Sequence, residues 1–143
     1  MEVIIREAQL CDIPEIYEMN NILNDEVGST IEYMKKSLES NNEIVLVAVR
    51  DKKAVGFICG QIYSSICYSK GVQCEVTELF VSEEFRKQGV ASELIAHLEC
   101  EFEKNNVLEI FIQTGKKNIN AQKLYEKSGY TNTERIVYRK KYY

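Results

Sequence analysis

The run Arg86-Lys87-Gln88-Gly89-Val90-Ala91-Ser92 has the composition of an anion-binding loop. A diphosphate is held best where several backbone N–H groups face one point. A glycine turn entering a helix N-terminus supplies them, together with the positive end of the helix dipole. Gly89 lets the backbone approach a phosphate, small Ala91 keeps the first turn open, and Ser92 adds a hydroxyl donor. Arg86 and Lys87 bring positive charge beside it. Glycine at such a place also serves simply to bend a chain into a helix, and the loop by itself is compatible with either use.

Other residue types argue against metal chemistry. His97 is the single histidine and has no ligand-spaced partner, so no metal site is expected. Cys11, Cys59, Cys67, Cys74 and Cys100 are odd in number and contain no CxxC pair, which predicts reduced thiols rather than disulfides or zinc. A net charge of −4 gives no broad attraction for nucleic acid and mildly favours a cationic partner. The basic end formed by Arg135, Arg139, Lys140 and Lys141 reads as a solvated terminus. The composition, 45% hydrophobic and 28% charged, is that of a soluble globular protein, and no apolar stretch is long enough to span a bilayer, so no membrane partner is expected. The opening Met1-Glu2-Val3-Ile4-Ile5-Arg6 lacks the basic start and long apolar run of a signal peptide, which makes a cytoplasmic location the default expectation.

A chain of 143 residues fits one domain, 1–143, and a lone proline with isolated glycines marks no linker that would divide it. Periodicity supplies the elements. Val3 to Arg6 suggests a strand, and Asp12-Ile13-Pro14-Glu15 offers an N-cap, an early proline and an acidic first turn, which together open a helix. A second helix runs from Ser29 or Thr30 to about Ser40 on an Ile31-Met34-Leu38 stripe. Ile44 to Arg50 and Ala54 to Tyr63 read as a hairpin turning at Asp51-Lys52-Lys53, and Gln73 to Val81 as a further strand. Gly89 then begins a helix carrying Val90, Leu94, Leu98 and Phe102 at helical spacing. Val107 to Gln113 is a strand, Asn118 to Lys127 a short helix closed by Gly129, and Thr133 to Lys140 a final strand. The predicted order is βααβββαβαβ.

Thr77-Glu78-Leu79-Phe80-Val81 runs into the glycine loop, and the two together resemble motif A of the GCN5-related N-acetyltransferase (GNAT) family. The family's loop pattern Q/R-x-x-G-x-G/A is matched by Arg86, Gly89 and Ala91. Downstream, Asn118 to Tyr130 is similar to the family's N-x-x-A-x-x-L-Y-x-K-x-G-F/Y segment, and two motifs in the right order outweigh either alone. The resemblance is clear from Val76 to Tyr130 and looser before it.

That resemblance implies an α/β (α+β) fold with a mixed, mostly antiparallel sheet flanked by helices and a splayed strand pair forming an acetyl-CoA cleft. Leu79, Phe80 and Val81 would offer backbone groups to the pantetheine arm and the acetyl carbonyl, and Lys87, Gln88, Gly89, Val90, Ala91 and Ser92, beside Arg86, would hold the pyrophosphate. Asn118 would contact the pantetheine or cap its helix. Tyr125 matches the tyrosine that faces the CoA sulfur and can protonate a departing thiolate, although a buried aromatic could equally serve packing. Glu78 is the candidate base for the incoming amine, against the alternative of a glutamate that merely attracts a cation or pairs with a basic neighbour. The implied activity is acetyl transfer from acetyl-CoA to an amine in a ternary complex, without a metal. The alternative is a non-catalytic CoA-binding sensor or interaction module.

The acceptor is left open among polyamines, aminoglycosides, amino acids and peptides. Gln113 stands where relatives that acetylate ribosomal-protein N-termini carry a glutamate, and an amide cannot act as a base, which argues against that substrate. The loop Asn20 to Gly28 is acidic at Asp25 and Glu26, which suits a cationic acceptor or solubility alone. Tyr138, Tyr142 and Tyr143 suit a sheet edge or a dimer contact, so a monomer and a homodimer are both compatible.

Overall fold

The computed structural model describes residues 2–143; Met1, the first residue of the opening segment, lies outside them. The chain falls into two compact units, Met1–Gln113 and Thr114–Tyr143.

The first unit is built on a five-stranded sheet in the order β1-β2-β3-β4-β5: β1 (Ile4–Glu7), β2 (Ile44–Arg50), β3 (Lys53–Tyr63), β4 (Val72–Val81) and β5 (Val107–Ile112). The first four strands are antiparallel neighbours, and β5 joins β4 in parallel. Asp51 and Lys52 turn the β2–β3 hairpin with φ of 51° and 67°, the paired left-handed geometry of a tight two-residue turn. The parallel β4–β5 pair requires a crossover, which α3 (Val90–Phe102) provides.

Strand alternation gives the sheet two apolar faces. On one, Val47, Phe57 and Phe80 pack with Ile16 and Met19 of α1 (Ile13–Leu23), and Met34 of α2 (Ile31–Ser40) lies against this cluster. On the other, Leu94, Leu98 and Phe102 of α3 are fully buried. That helix sits close enough that a Cβ on Gly60 would come within 2.6 Å of Phe102 Cζ. Glycine at 60 is therefore a packing requirement.

One local expectation fails near the N-terminus. Asp12 precedes α1 without capping it through its side chain. The buried carboxylate instead accepts from Arg6 at 2.7 and 3.0 Å and from the Gln9 N–H at 2.7 Å. A guanidinium fork offers stronger, charge-assisted bonds than a helix N–H.

The second unit holds α4 (Ile119–Lys127), closed by Gly129 at φ 95° as the sequence predicts. The expected final strand from Thr133 to Lys140 does not form: residues 131–143 belong to no helix or strand. Asn132 Oδ1 accepts from the Glu134 N–H, Thr133 Oγ1 accepts from the Arg135 N–H, and Glu134 takes φ 63°. These side-chain turns bend the chain where a strand would start and outweigh the β propensity of Ile136 and Val137, which stay 75% and 67% exposed.

Candidate functional site

The sheet opens at one strand pair. β4 and β5 pair from Val72↔Val107 to Val76↔Ile112, with a register shift after Val72, and their pairing ends there, while β4 continues to Val81 beside β3. The break coincides with a bulge: Cys59 pairs Glu78 and Gly60 pairs Val76, so Thr77 is an extra residue on β4. A bulge bends its strand and sharpens the twist, which carries the Glu78–Val81 stretch away from β5. Alternate backbone N–H and C=O groups of that stretch then face a gap where an extended ligand can pair as a strand would. This is the splayed pair that the sequence resemblance implies.

Phe80 and Val81 are buried and Leu79 partly so, which leaves their backbone as the part able to meet a ligand. Arg86 fixes the end of the strand: its Nε donates to the Val81 carbonyl at 2.7 Å and its guanidinium lies 5.3 Å from the centre of the Phe80 ring. The Arg86 charge is thus committed to the strand, and Lys87 is the freer cation of the loop, exposed and at φ 61°.

Gly89 then takes φ 84° and begins α3, whose first backbone bond runs from the Glu93 N–H to the Gly89 carbonyl at 3.0 Å. The N–H groups of Val90, Ala91 and Ser92 come before that bond and have no carbonyl to meet within the helix. A Cβ placed on Gly89 would find open space, with nothing within 4 Å. A left-handed glycine, three outward N–H groups and room above them fit a diphosphate.

On the α1 and α2 face of the sheet, a cavity of about 310 Å³ opens beside the splayed stretch. Its floor is apolar, with Ile16, Phe57 and Cys59, and its walls carry Tyr33, Glu43, Gln61, Thr77 and Glu78. Glu78 is half-buried and accepts from Asn24 Nδ2 at 3.3 Å, with no ion pair to a described residue. Glu43 accepts from Gln61 Nε2 at 3.5 Å. Burial, and then the charge of Glu78, push the Glu43 carboxyl above the ordinary carboxylate range. Burial first, then Glu43 and Glu78, push the Cys59 thiol well above its own. The cavity thus carries a negative field over an apolar floor.

Glu43, Asn24 and Gln61 are residues that sequence reasoning missed. The available signal was the alternation Glu43, Val45, Val47, which puts a carboxylate on the same face as core residues. Asp25 and Glu26, by contrast, are exposed and do not line the cavity. Gln113 is exposed and donates to Glu75 at 3.4 Å.

In the second unit, Asn118 Oδ1 accepts from the Ala121 N–H at 3.1 Å and so caps α4. Tyr125 is half-buried on that helix, and burial pushes its phenol above the usual value, so it holds its proton at neutral pH.

A model of the acetyltransferase (GNAT) family matches residues 11–130. The chain belongs to that family. It is 38% identical over 96 residues to an uncharacterized N-acetyltransferase of Archaeoglobus fulgidus; the match spans 65% of this chain and 63% of that relative's length. It is 29% identical over 107 residues to an aminoglycoside N(6')-acetyltransferase type 1 of Salmonella typhimurium, 73% of each chain. Among solved structures, aminoglycoside acetyltransferase AAC(6')-Iy, in complex with a CoA-acetylneamine bisubstrate analog, superposes with a TM-score of 0.82 at 23% identity, covering 99% of both chains. That likeness is one of fold alone, over nearly the whole chain.

Proposed function

We propose that residues 1–143 act as one acetyltransferase domain that moves the acetyl group of acetyl-CoA to a primary amine of a small molecule or peptide. The observation that carries this reading is the Glu78–Val81 stretch, paired with β3 but open on its β5 side, followed after one short turn by the open helix N-terminus at Gly89. Acetyl-CoA supplies an activated thioester: its carbonyl carbon gains a bond to the amine nitrogen as the bond to sulfur breaks.

The chain's own residues bind, orient and move protons. Lys87 and the N–H groups of Val90 to Ser92 hold the diphosphate, and the backbone groups of Leu79 to Val81 that face away from β3 align the arm and polarise the carbonyl. An alkylammonium, with a pKa near ~10.4, must lose a proton before its nitrogen can attack. Glu78 takes that proton, directly or through a water, because it faces the cavity from within the Glu78–Val81 stretch. Tyr125 gives its phenolic proton to the departing thiolate, and the second proton, shed by the nitrogen as the amide forms, returns to the phenolate through water. The phenol carries its proton at neutral pH and so has one to give, and because burial raises its pKa the transfer follows, rather than precedes, cleavage of the C–S bond.

Thiol release measured across polyamines, aminoglycosides, amino acids and peptides tests the reading. Transfer to at least one class is expected, with Glu78→Gln and Tyr125→Phe each lowering kcat. Acetyl-CoA binding without transfer to any amine would favour a CoA-binding module instead.

A further inference from the structure

The chemistry above uses one of the cavity's two carboxylates, and the second stands opposite it. Val45, Cys59 and Glu78 form one row across β2, β3 and β4. Glu43 lies two residues from Val45 on the same face. Two strand spacings of about 4.8 Å and two residues of about 3.4 Å separate the Cα atoms of Glu43 and Glu78 by roughly 12 Å. Side chains reaching in from both walls leave a gap between the carboxylates that a short carbon chain can bridge.

Neither carboxylate is paired with a cation among the described residues; the ion pairs Arg6–Asp12 and Lys104–Glu101 lie elsewhere. Their hydrogen-bond donors are neutral amides, Gln61 for Glu43 and Asn24 for Glu78. Like charges held half-buried around one space without a counter-ion are unfavourable, and a ligand with a positive group at each end removes that cost. Phe57 and Cys59, between the two walls, suit the methylene groups of such a ligand.

We propose that Glu43 binds a second ammonium group of the acceptor while Glu78 faces the amine to be acetylated, which makes Glu43 the residue that selects a diamine over a monoamine. This rests on the cavity being the acceptor site.

The test compares butane-1,4-diamine with 1-aminobutane at saturating acetyl-CoA, in the wild type, Glu43→Gln and Glu43→Asp. The wild type is expected to favour the diamine in kcat/KM by about tenfold or more, the low end for a charge-assisted contact in a half-buried site. Glu43→Gln should abolish that preference by raising the diamine KM at least several-fold more than the 1-aminobutane KM, and Glu43→Asp should retain part of it. Equal use of both amines by the wild type, or an equal loss for both in Glu43→Gln, overturns the role of Glu43 and leaves the acetyltransferase reading standing. Transfer to no amine at all, with acetyl-CoA bound, overturns both.

Discussion

Substituting Gly89 by alanine separates the cost of a backbone conformation from the cost of a lost binding site. At φ 84° an L-residue pays about 1–2 kcal/mol for the left-handed conformation. No packing term is added, because the new Cβ meets nothing within 4 Å. Gly129 is the matched control: it has φ 95°, an equally open Cβ position and a helix end beside it, but lies at the C-terminus of α4. Both variants should therefore lose a similar 1–2 kcal/mol, a fall of roughly 3–8 °C in Tm for a chain of this size. Only Gly89→Ala alters the turn that presents the Val90–Ser92 N–H groups, so it alone should weaken acetyl-CoA binding, by about tenfold for each 1.4 kcal/mol of lost contact. Urea unfolding and calorimetric titration of the two variants supply both numbers. A Gly89→Ala protein that binds acetyl-CoA as tightly as Gly129→Ala would refute the placement of the phosphates.

Gly60→Ala drives a methyl to within 2.6 Å of Phe102 Cζ and 2.9 Å of Leu98 Cδ1, and should cost about 1–3 kcal/mol in urea unfolding. Of the five thiols, the exposed Cys11, Cys67 and Cys100 should react promptly with a disulfide reagent in the native protein, and Cys59 and Cys74 only after unfolding; prompt reaction of Cys59 would contradict its burial. Glu43 has a folded pKa above its unfolded value, so the folded state binds the proton more tightly and loses stability as pH rises from the ordinary carboxylate range through the folded value. Glu43→Gln should accordingly melt above the wild type at pH 7, with the gap closing near pH 4; a lower-melting variant at pH 7 would show that the carboxylate stabilises the fold.

Much of this is legible in the sequence because periodicity and turn chemistry agree there. The hairpin of β2 and β3, the helix stripe Val90-Leu94-Leu98 and the closing Gly129 each follow from a local pattern. What was not legible depends on register or on competition between local bonds. Nothing in Glu75-Val76-Thr77-Glu78 marks Thr77 as the extra residue, since a bulge without glycine or proline leaves no trace until the neighbouring strands are aligned. The same alignment puts Glu43 and Glu78 around one cavity, although 35 positions separate them in the chain. Asp12 and the tail from Asn132 were misread for a different cause. In each, a side chain offers the backbone or an arginine a better partner than the helix or strand that propensity favours.

The proposed place of acetyl-CoA is the gap between β4 and β5 together with the N-terminus of α3. Thermal melting of the purified protein with and without acetyl-CoA measures that. Ligand at a hundred times its Kd should add roughly 2.7 kcal/mol, a rise of several degrees in Tm, and most of that rise should vanish in Gly89→Ala. An unchanged Tm at millimolar acetyl-CoA would contradict it.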